Sequence, residues 1–224
     1  MWARTIFAFC ILHFDYMLTA SLHAILDVDT AGRAGWAALD VGRAFFDGGA
    51  TLIQIRAKHL ASGPLLRLAD GLVTLAAQYD ADVLVNDRAD VARMARSAGV
   101  HVGQEDISPS DARAIVGPDA VVGYSTHTVE QVEAAVREPV TYIAVGPVFG
   151  TRTKDTGYEA VGLELVSGAA ARAGQTPIVG IGGISLENAR SVLDAGASAV
   201  AVISDLLSTR DPRRRVAAYL RALA

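Results

Sequence analysis

Gly48-Gly49-Ala50-Thr51-Leu52-Ile53-Gln54-Ile55-Arg56-Ala57-Lys58 contains the unit from which the chain is built: glycines closing a helix, a short β-branched run, then a polar cluster. Glycine after a helix takes a left-handed cap that turns the chain back toward a sheet. Ser97-Ala98-Gly99-Val100 and Asp194-Ala195-Gly196-Ala197 repeat that phrase. Further strand-like runs end in Asn86-Asp87-Arg88, Gly103-Gln104-Glu105-Asp106, Ser125-Thr126-His127, Gly146-Pro147-Val148-Phe149-Gly150-Thr151-Arg152-Thr153-Lys154 and Gly180-Ile181-Gly182-Gly183-Ile184. Reactive groups recurring at strand ends point to a barrel with one functional mouth.

Working outward, eight strands are expected over residues 23–28, 51–55, 83–85, 100–102, 120–123, 142–145, 178–181 and 199–203. Helical spacing fills the gaps at 36–47, 64–79, 89–97, 110–116, 129–137, 163–173, 186–195 and 212–222. Eight alternating units predict an α/β fold, a single (β/α)8 TIM barrel, a little under the usual length of about 250 residues. A doubly wound open sheet shares the alternation but gives no reason for eight units. No Gly-x-Gly-x-x-Gly follows the first strand to support a dinucleotide site.

The 224 residues are 51% hydrophobic and 20% charged, enough to bury a large core, and no linker or charge run divides them. Residues 21–224 are read as the barrel domain. The net charge of −4 disfavours nucleic acid, so any bound phosphate must be held by a few local cations, helix N-termini or a metal. A single cysteine, Cys10, cannot form an internal disulfide and fits a reducing, cytoplasmic setting. The apolar stretch 5–12 is too short to span a bilayer, and His13, Phe14 and Asp15 interrupt the approach to a cleavage site near Thr19-Ala20-Ser21. Residues 1–20 are therefore read as an N-terminal extension, or as an over-long start with Met17 the true first residue. The expected partners are small molecules, with no nucleic acid and no membrane; a homo-oligomer is compatible with the sequence.

Alternation along a strand puts Gln54, Arg56 and Lys58 on one face, directed into the barrel and toward its rim, with Ala57 outward. Two cations and an amide in line suit a phosphate or pyrophosphate, although an exposed Arg and Lys at a strand end are common. Asn86-Asp87 closes the third strand and Asp106 lies just past the fourth, so two carboxylates reach one rim. They are read as a Mg²⁺ site, against a helix cap for Asp87 and a turn role for Asp106. Ser125 is either a cap or a phosphate-contacting hydroxyl; His127 is a secondary candidate base, and His101 either a packed core residue or one that supports the site from behind. The loop bearing Thr151, Thr153 and Lys154 offers hydroxyls, amides and a cation to an anion. Gly182 and Gly183, with Ile203-Ser204 after the last strand, occupy the recurrent phosphate position of this architecture, the glycines letting backbone approach a ligand.

Taken together, the quoted clusters, with His101-Val102 and Val202-Ile203-Ser204, resemble the thiamine-phosphate synthase family from about Leu22 to Leu207. The resemblance implies a Mg²⁺-dependent transferase. It would join 4-amino-2-methyl-5-(diphosphomethyl)pyrimidine to 4-methyl-5-(2-phosphoethyl)thiazole, or its carboxylated form, giving thiamine phosphate and pyrophosphate. It further implies that Gln54, Arg56, Lys58 and Asn86 contact the pyrimidine diphosphate and that Asp87 and Asp106 hold the metal. Ser125 and Lys154 would hold the leaving pyrophosphate, Thr151 and Thr153 would line the thiazole side, and Gly183, Ile203 and Ser204 would bind its phosphate. Arg56, Lys58, Ser125 and Lys154 are the implied catalytic set. Two positions depart from the family pattern: Ala57 where Glu is common, and His23 where Tyr is frequent, which puts packing under the pyrimidine in question. The alternatives on the same barrel are a thiazole tautomerase and a non-catalytic thiazole-phosphate-binding protein.

Overall fold

The computed structural model describes residues 20–150 and 159–224. Residues 1–19 and 151–158 fall outside it, and with them the assigned extension, save Ala20, and the site candidates Thr151, Thr153 and Lys154. Eight strands, β1 (Leu22–Asp27), β2 (Leu52–Arg56), β3 (Asp82–Asn86), β4 (Gly99–Val102), β5 (Val121–Thr126), β6 (Tyr142–Val145), β7 (Ile178–Ile181) and β8 (Ala199–Val202), form a closed barrel in sequence order. Every neighbouring pair is parallel, and β8 returns to β1 with Ala24 opposite Val202. Among the described residues the helices are α1 (Val28–Arg33), α2 (Ala38–Asp47), α3 (Ser62–Ala76), α4 (Ala89–Ala95), α5 (Pro109–Val116), α6 (Val129–Ala135), α7 (Gly162–Arg172), α8 (Ala189–Asp194) and α9 (Pro212–Leu223), with a 3₁₀ turn at Ser204–Leu207. None of them is long and apolar enough to cross a membrane.

Period-two alternation divides the core into two layers. Ile53 and Ile55 face outward into a continuous apolar layer with Val41, Phe45 and Leu72 of the helices, all fully buried. Ile25, Leu52, Leu84, Val121, Tyr142 and Val179 fill the bore. Burying each large apolar side chain contributes about 1.5–3 kcal/mol, so the two layers supply most of the force that closes the barrel.

The expected strands lie where they form, with informative differences at their ends. β5 runs to Thr126 instead of stopping at residue 123, which carries Ser125 into the sheet. The cap of α6 is then Thr128, whose hydroxyl accepts from Gln131 N, so the capping role considered for Ser125 is excluded. At the end of α4 the left-handed residue is Arg96, with Gly99 already inside β4. Helix α1 has no counterpart among the expected elements: Asp27 is not interior to a strand but ends β1 and caps α1. Helix α8 starts at Ala189, not 186, because the Asn188 side chain accepts from Ser185 N and donates to Gly183 O, holding the preceding turn.

His23 lies near the start of β1, in the bore beneath the rim. It meets Tyr142 edge to face at 5.0 Å, and burial lowers its pKa from 6.5 to about 4. The folded state thus holds the imidazole neutral where the unfolded chain would protonate it. Stability is full above about pH 6.5 and is lost as pH falls toward 4, by about 3 kcal/mol in total. Replacing His23 with Phe keeps the edge contact and removes the titration. Denaturant unfolding from pH 7 to pH 4 should therefore show a flatter decline for His23→Phe than for the parent; parallel curves would exclude His23 as a source of acid sensitivity.

Candidate active site

The C-terminal strand ends carry all the polar clusters, and on the β1–β4 side they are already paired with one another. Asp27 and Arg56 lie opposite each other in the β1–β2 register, and Arg56 Nη1 donates to Asp27 Oδ2 at 2.5 Å. The other Asp27 oxygen accepts from Thr30 N at 2.8 Å and Thr30 Oγ1 at 2.6 Å. Burial tends to raise the Asp27 carboxyl, but these Thr30 bonds and the Arg56 guanidinium outweigh it, leaving a net shift below the usual value. Gln54 Nε2 donates to Asn86 Oδ1 at 2.9 Å. Gln54 and Arg56 share the bore-facing side of β2 as the alternation requires, and Ala57 packs against the outer apolar layer.

Asp87, one residue beyond β3, adopts a left-handed backbone, φ 65°, fixed by its N–H donating to His101 O at 2.7 Å. Its side chain makes no cap for α4, whose N-cap is Arg88, so that reading is excluded. Asp87 Oδ2 lies 2.5 Å from Lys58 Nζ, and its carboxyl is also within hydrogen-bonding reach of Asp106. Burial raises the Asp87 pKa, Asp106 adds to the rise, and Lys58 opposes it. Asp106 Oδ2 accepts from Gly103 N at 2.8 Å, so its turn role is real and leaves the second oxygen to the rim. Three groups, Asp27 with Arg56, Gln54 with Asn86, and Lys58 with Asp87 beside Asp106, thus line this side of the mouth.

Across the mouth is a cavity of about 390 Å³ whose lining includes Ser125, His127, Gly183, Ile203 and Ser204. Ser125 is buried, its Oγ 2.8 Å from His101 Nε2. His127 Nδ1 lies 2.5 Å from Gly146 O, so that nitrogen carries the hydrogen. Gly183 (φ 65°) also has a structural part. A Cβ there would lie 2.6 Å from Gly150 O and 2.7 Å from Phe149 Cβ, so the missing side chain makes room for the loop after β6. The strand seven and eight loops are joined by Asp205, which accepts from Leu186 N at 3.2 Å, from Arg215 of α9, and from the Tyr219 hydroxyl.

The structure therefore brings Ser125, Gly183, Ile203 and Ser204 to one cavity and the cations and carboxylates to the facing wall. Asp27 and Asp205 are the positions that sequence reasoning missed. Asp27-Val28-Asp29-Thr30 is a legible N-cap pattern; Asp205 gives no comparable signal, since its partners Arg215 and Tyr219 belong to the last helix.

The thiamine monophosphate synthase family model matches residues 22–206, almost the whole barrel. A thiamine-phosphate synthase of Koribacter versatilis is 44% identical over 204 residues, covering 90% of this chain and 95% of its own. That of Acidothermus cellulolyticus is 45% identical, covering 79% and 83%. A thiamine phosphate pyrophosphorylase structure from Pyrococcus furiosus superposes with a TM-score of 0.83 at 30% identity, covering 92% of this chain and 96% of that one. By fold, by matched length and by identity, this chain belongs to the thiamine monophosphate synthase family.

Proposed function

We propose that the protein is the transferase that condenses 4-amino-2-methyl-5-(diphosphomethyl)pyrimidine with a thiazole phosphate, releasing pyrophosphate, in a Mg²⁺-dependent reaction. One observation carries the site assignment: a wall bearing two cations and two neighbouring carboxylates faces a cavity lined by glycine backbone and serine hydroxyls. One side suits a diphosphate and the other a monophosphate ester. The lone cysteine supports a cytosolic setting.

The donor set suits a hard divalent ion. Burial and the neighbouring Asp106 raise the cost of ionising Asp87, and Mg²⁺ commonly takes one or two carboxylates, with phosphate and water oxygens completing sites at about 2.0–2.1 Å. No group of three or more His, Cys, Asp and Glu is placed to hold a metal among the described residues, so these two carboxylates would share the ion with the substrate. Bound there, it would supply Lewis-acid stabilisation of the negative charge on the diphosphate.

The remaining work falls to the chain itself. The electron-rich aminopyrimidine can carry positive charge at its methylene, so the carbon–oxygen bond breaks before the thiazole nitrogen attacks and no side-chain nucleophile is required. Arg56 offers a planar fork to phosphate oxygens, and Lys58, held at the rim by Asp87, offers a point charge. Gln54 and Asn86, bonded to each other, fix the polar floor under the diphosphate. Ser125 donates to the departing pyrophosphate. Gly183, Ile203 and Ser204 grip the thiazole phosphate and hold the nitrogen near the reacting carbon, where orientation alone lowers the barrier. Lys154, Thr151 and Thr153, outside the described residues, are assigned to pyrophosphate and thiazole on the family resemblance.

Removing any one charge-assisted hydrogen bond to the diphosphate should cost about 1.5–3 kcal/mol in transition-state stabilisation, before any geometric disruption. Asp87→Asn and Asp106→Asn should each abolish Mg²⁺-dependent pyrophosphate release with an unchanged unfolding transition; full turnover by both variants rejects the metal assignment. Ser204→Asp places a like charge against the thiazole phosphate and should weaken its binding at least tenfold on the same scale, as read by calorimetric titration. Unchanged affinity removes the phosphate from that pocket.

A further inference from the structure

Behind Ser125 lie two buried polar side chains, His101 and Tyr142, of which the reaction as described makes no use. His101 on β4, Gly123 on β5 and Tyr142 on β6 stand side by side in register, and Ser125 is the next residue of β5 on the same face as Gly123. His101 Nδ1 lies 2.8 Å from the Tyr142 hydroxyl, and His101 Nε2 lies 2.8 Å from Ser125 Oγ. The two rings are nearly parallel, 21° apart, with centroids 5.6 Å apart. A Cβ at position 123 would sit 2.2 Å from Tyr142 Cζ, so glycine there clears the path by which the tyrosine reaches the histidine.

If the His101 imidazole is neutral it has one N–H and one lone pair, which leaves two directions for this chain of hydrogen bonds. If Nδ1 carried the hydrogen, Tyr142 would accept from it and its own buried proton would need a second acceptor. Burial holds the Tyr142 hydroxyl in its protonated form, and His101 is the partner found for it among the described residues. Leaving a buried hydroxyl proton unsatisfied carries its full desolvation cost. The opposite direction satisfies the row. Tyr142 donates to Nδ1, Nε2–H donates to Ser125 Oγ, and the serine proton turns away from the histidine toward the cavity it lines.

We propose that Tyr142 and His101 are positioning residues that lock the Ser125 hydroxyl as a hydrogen-bond donor to the anion in the cavity, an inference that rests on the assignment of Ser125 to the leaving pyrophosphate. With the row reversed, Ser125 would give its proton to His101 and meet the anion with a lone pair. The lock is set before substrate arrives, so the donor needs no reorientation as negative charge develops.

Two measurements on the full chain test this. Nitrogen-15 NMR of histidine-labelled protein, with Mg²⁺ and pyrophosphate added, should show His101 protonated at Nε2; protonation at Nδ1 overturns the lock, whatever the behaviour of any variant. In steady-state kinetics, Ser125→Ala should lower kcat about ten- to hundredfold and Tyr142→Phe about three- to tenfold, with the KM for the thiazole phosphate unchanged. The double variant should be no slower than Ser125→Ala alone. An equal Tyr142→Phe loss in both backgrounds overturns the lock while leaving Ser125 at the pyrophosphate; full turnover by Ser125→Ala overturns the Ser125 assignment itself.

Discussion

Closure of eight parallel strands fixes, at every position, whether a side chain enters the bore or the helix layer, and every interaction in the site follows from that parity. β8 meeting β1 leaves no edge at which register could slip, and a one-residue shift would turn the bore-facing set of a strand outward. Leu52, Gln54 and Arg56 show what parity does along one strand. The first fills the bore, the second bonds Asn86 at the next level, and the third reaches Asp27 at the rim. Apolar packing below and charge above are consecutive levels of one alternation, so the site is as fixed as the core beneath it.

The cations arrive at the mouth already neutralised. Arg56 is held by Asp27 and Lys58 by Asp87, with Asp27 and Arg56 both largely buried. A buried unpaired guanidinium or carboxylate would cost several kcal/mol, so pairing is what lets these charges sit together in a folded protein. On the proposed function it would also make ligand binding an exchange. Arg56 is the more buried of the two cations, whereas Lys58, more exposed and paired with Asp87 among the described residues, would on the proposed function exchange that carboxylate for a phosphate. That exchange would free a carboxylate that burial and Asp106 already make costly to ionise alone, and the proposed divalent cation would offset that cost.

Much of this is legible in the sequence because it depends on local signals. β-branched runs bounded by glycine and polar clusters place the strands, and period two puts Gln54 and Arg56 inward and Ala57 outward. What is not legible depends on where strands stop and on partners far along the chain. Asp27 is hidden inside a strand that ends one residue sooner than its apolar run suggests, although Thr30 three residues on marks it as a cap. Ser125 resembles a cap because the apolar run of β5 ends early; only the Tyr142 and His101 neighbours show why the strand continues. Gly183 suggests close approach of a ligand, and its geometry adds a second demand, room for Phe149 and Gly150, which sequence spacing does not relate to it.

The two halves of the mouth also differ in how rigidly they are built. The β7 and β8 loops are pinned by backbone-directed bonds from Asn188 and Asp205, and Asp205 is in turn gripped by Arg215 and Tyr219 of the final helix. The facing wall is held by side-chain ion pairs whose partners can be exchanged. Phosphate recognition by glycine backbone and serine hydroxyls needs fixed donors, since each misplaced amide forfeits its bond. Departure of a diphosphate needs groups that follow charge as it moves from a bridging oxygen onto a free anion. On the proposed function the immobile half would hold the substrate that stays and the exchangeable half the group that leaves, a division that one barrel can make because its loops come from opposite ends of the chain.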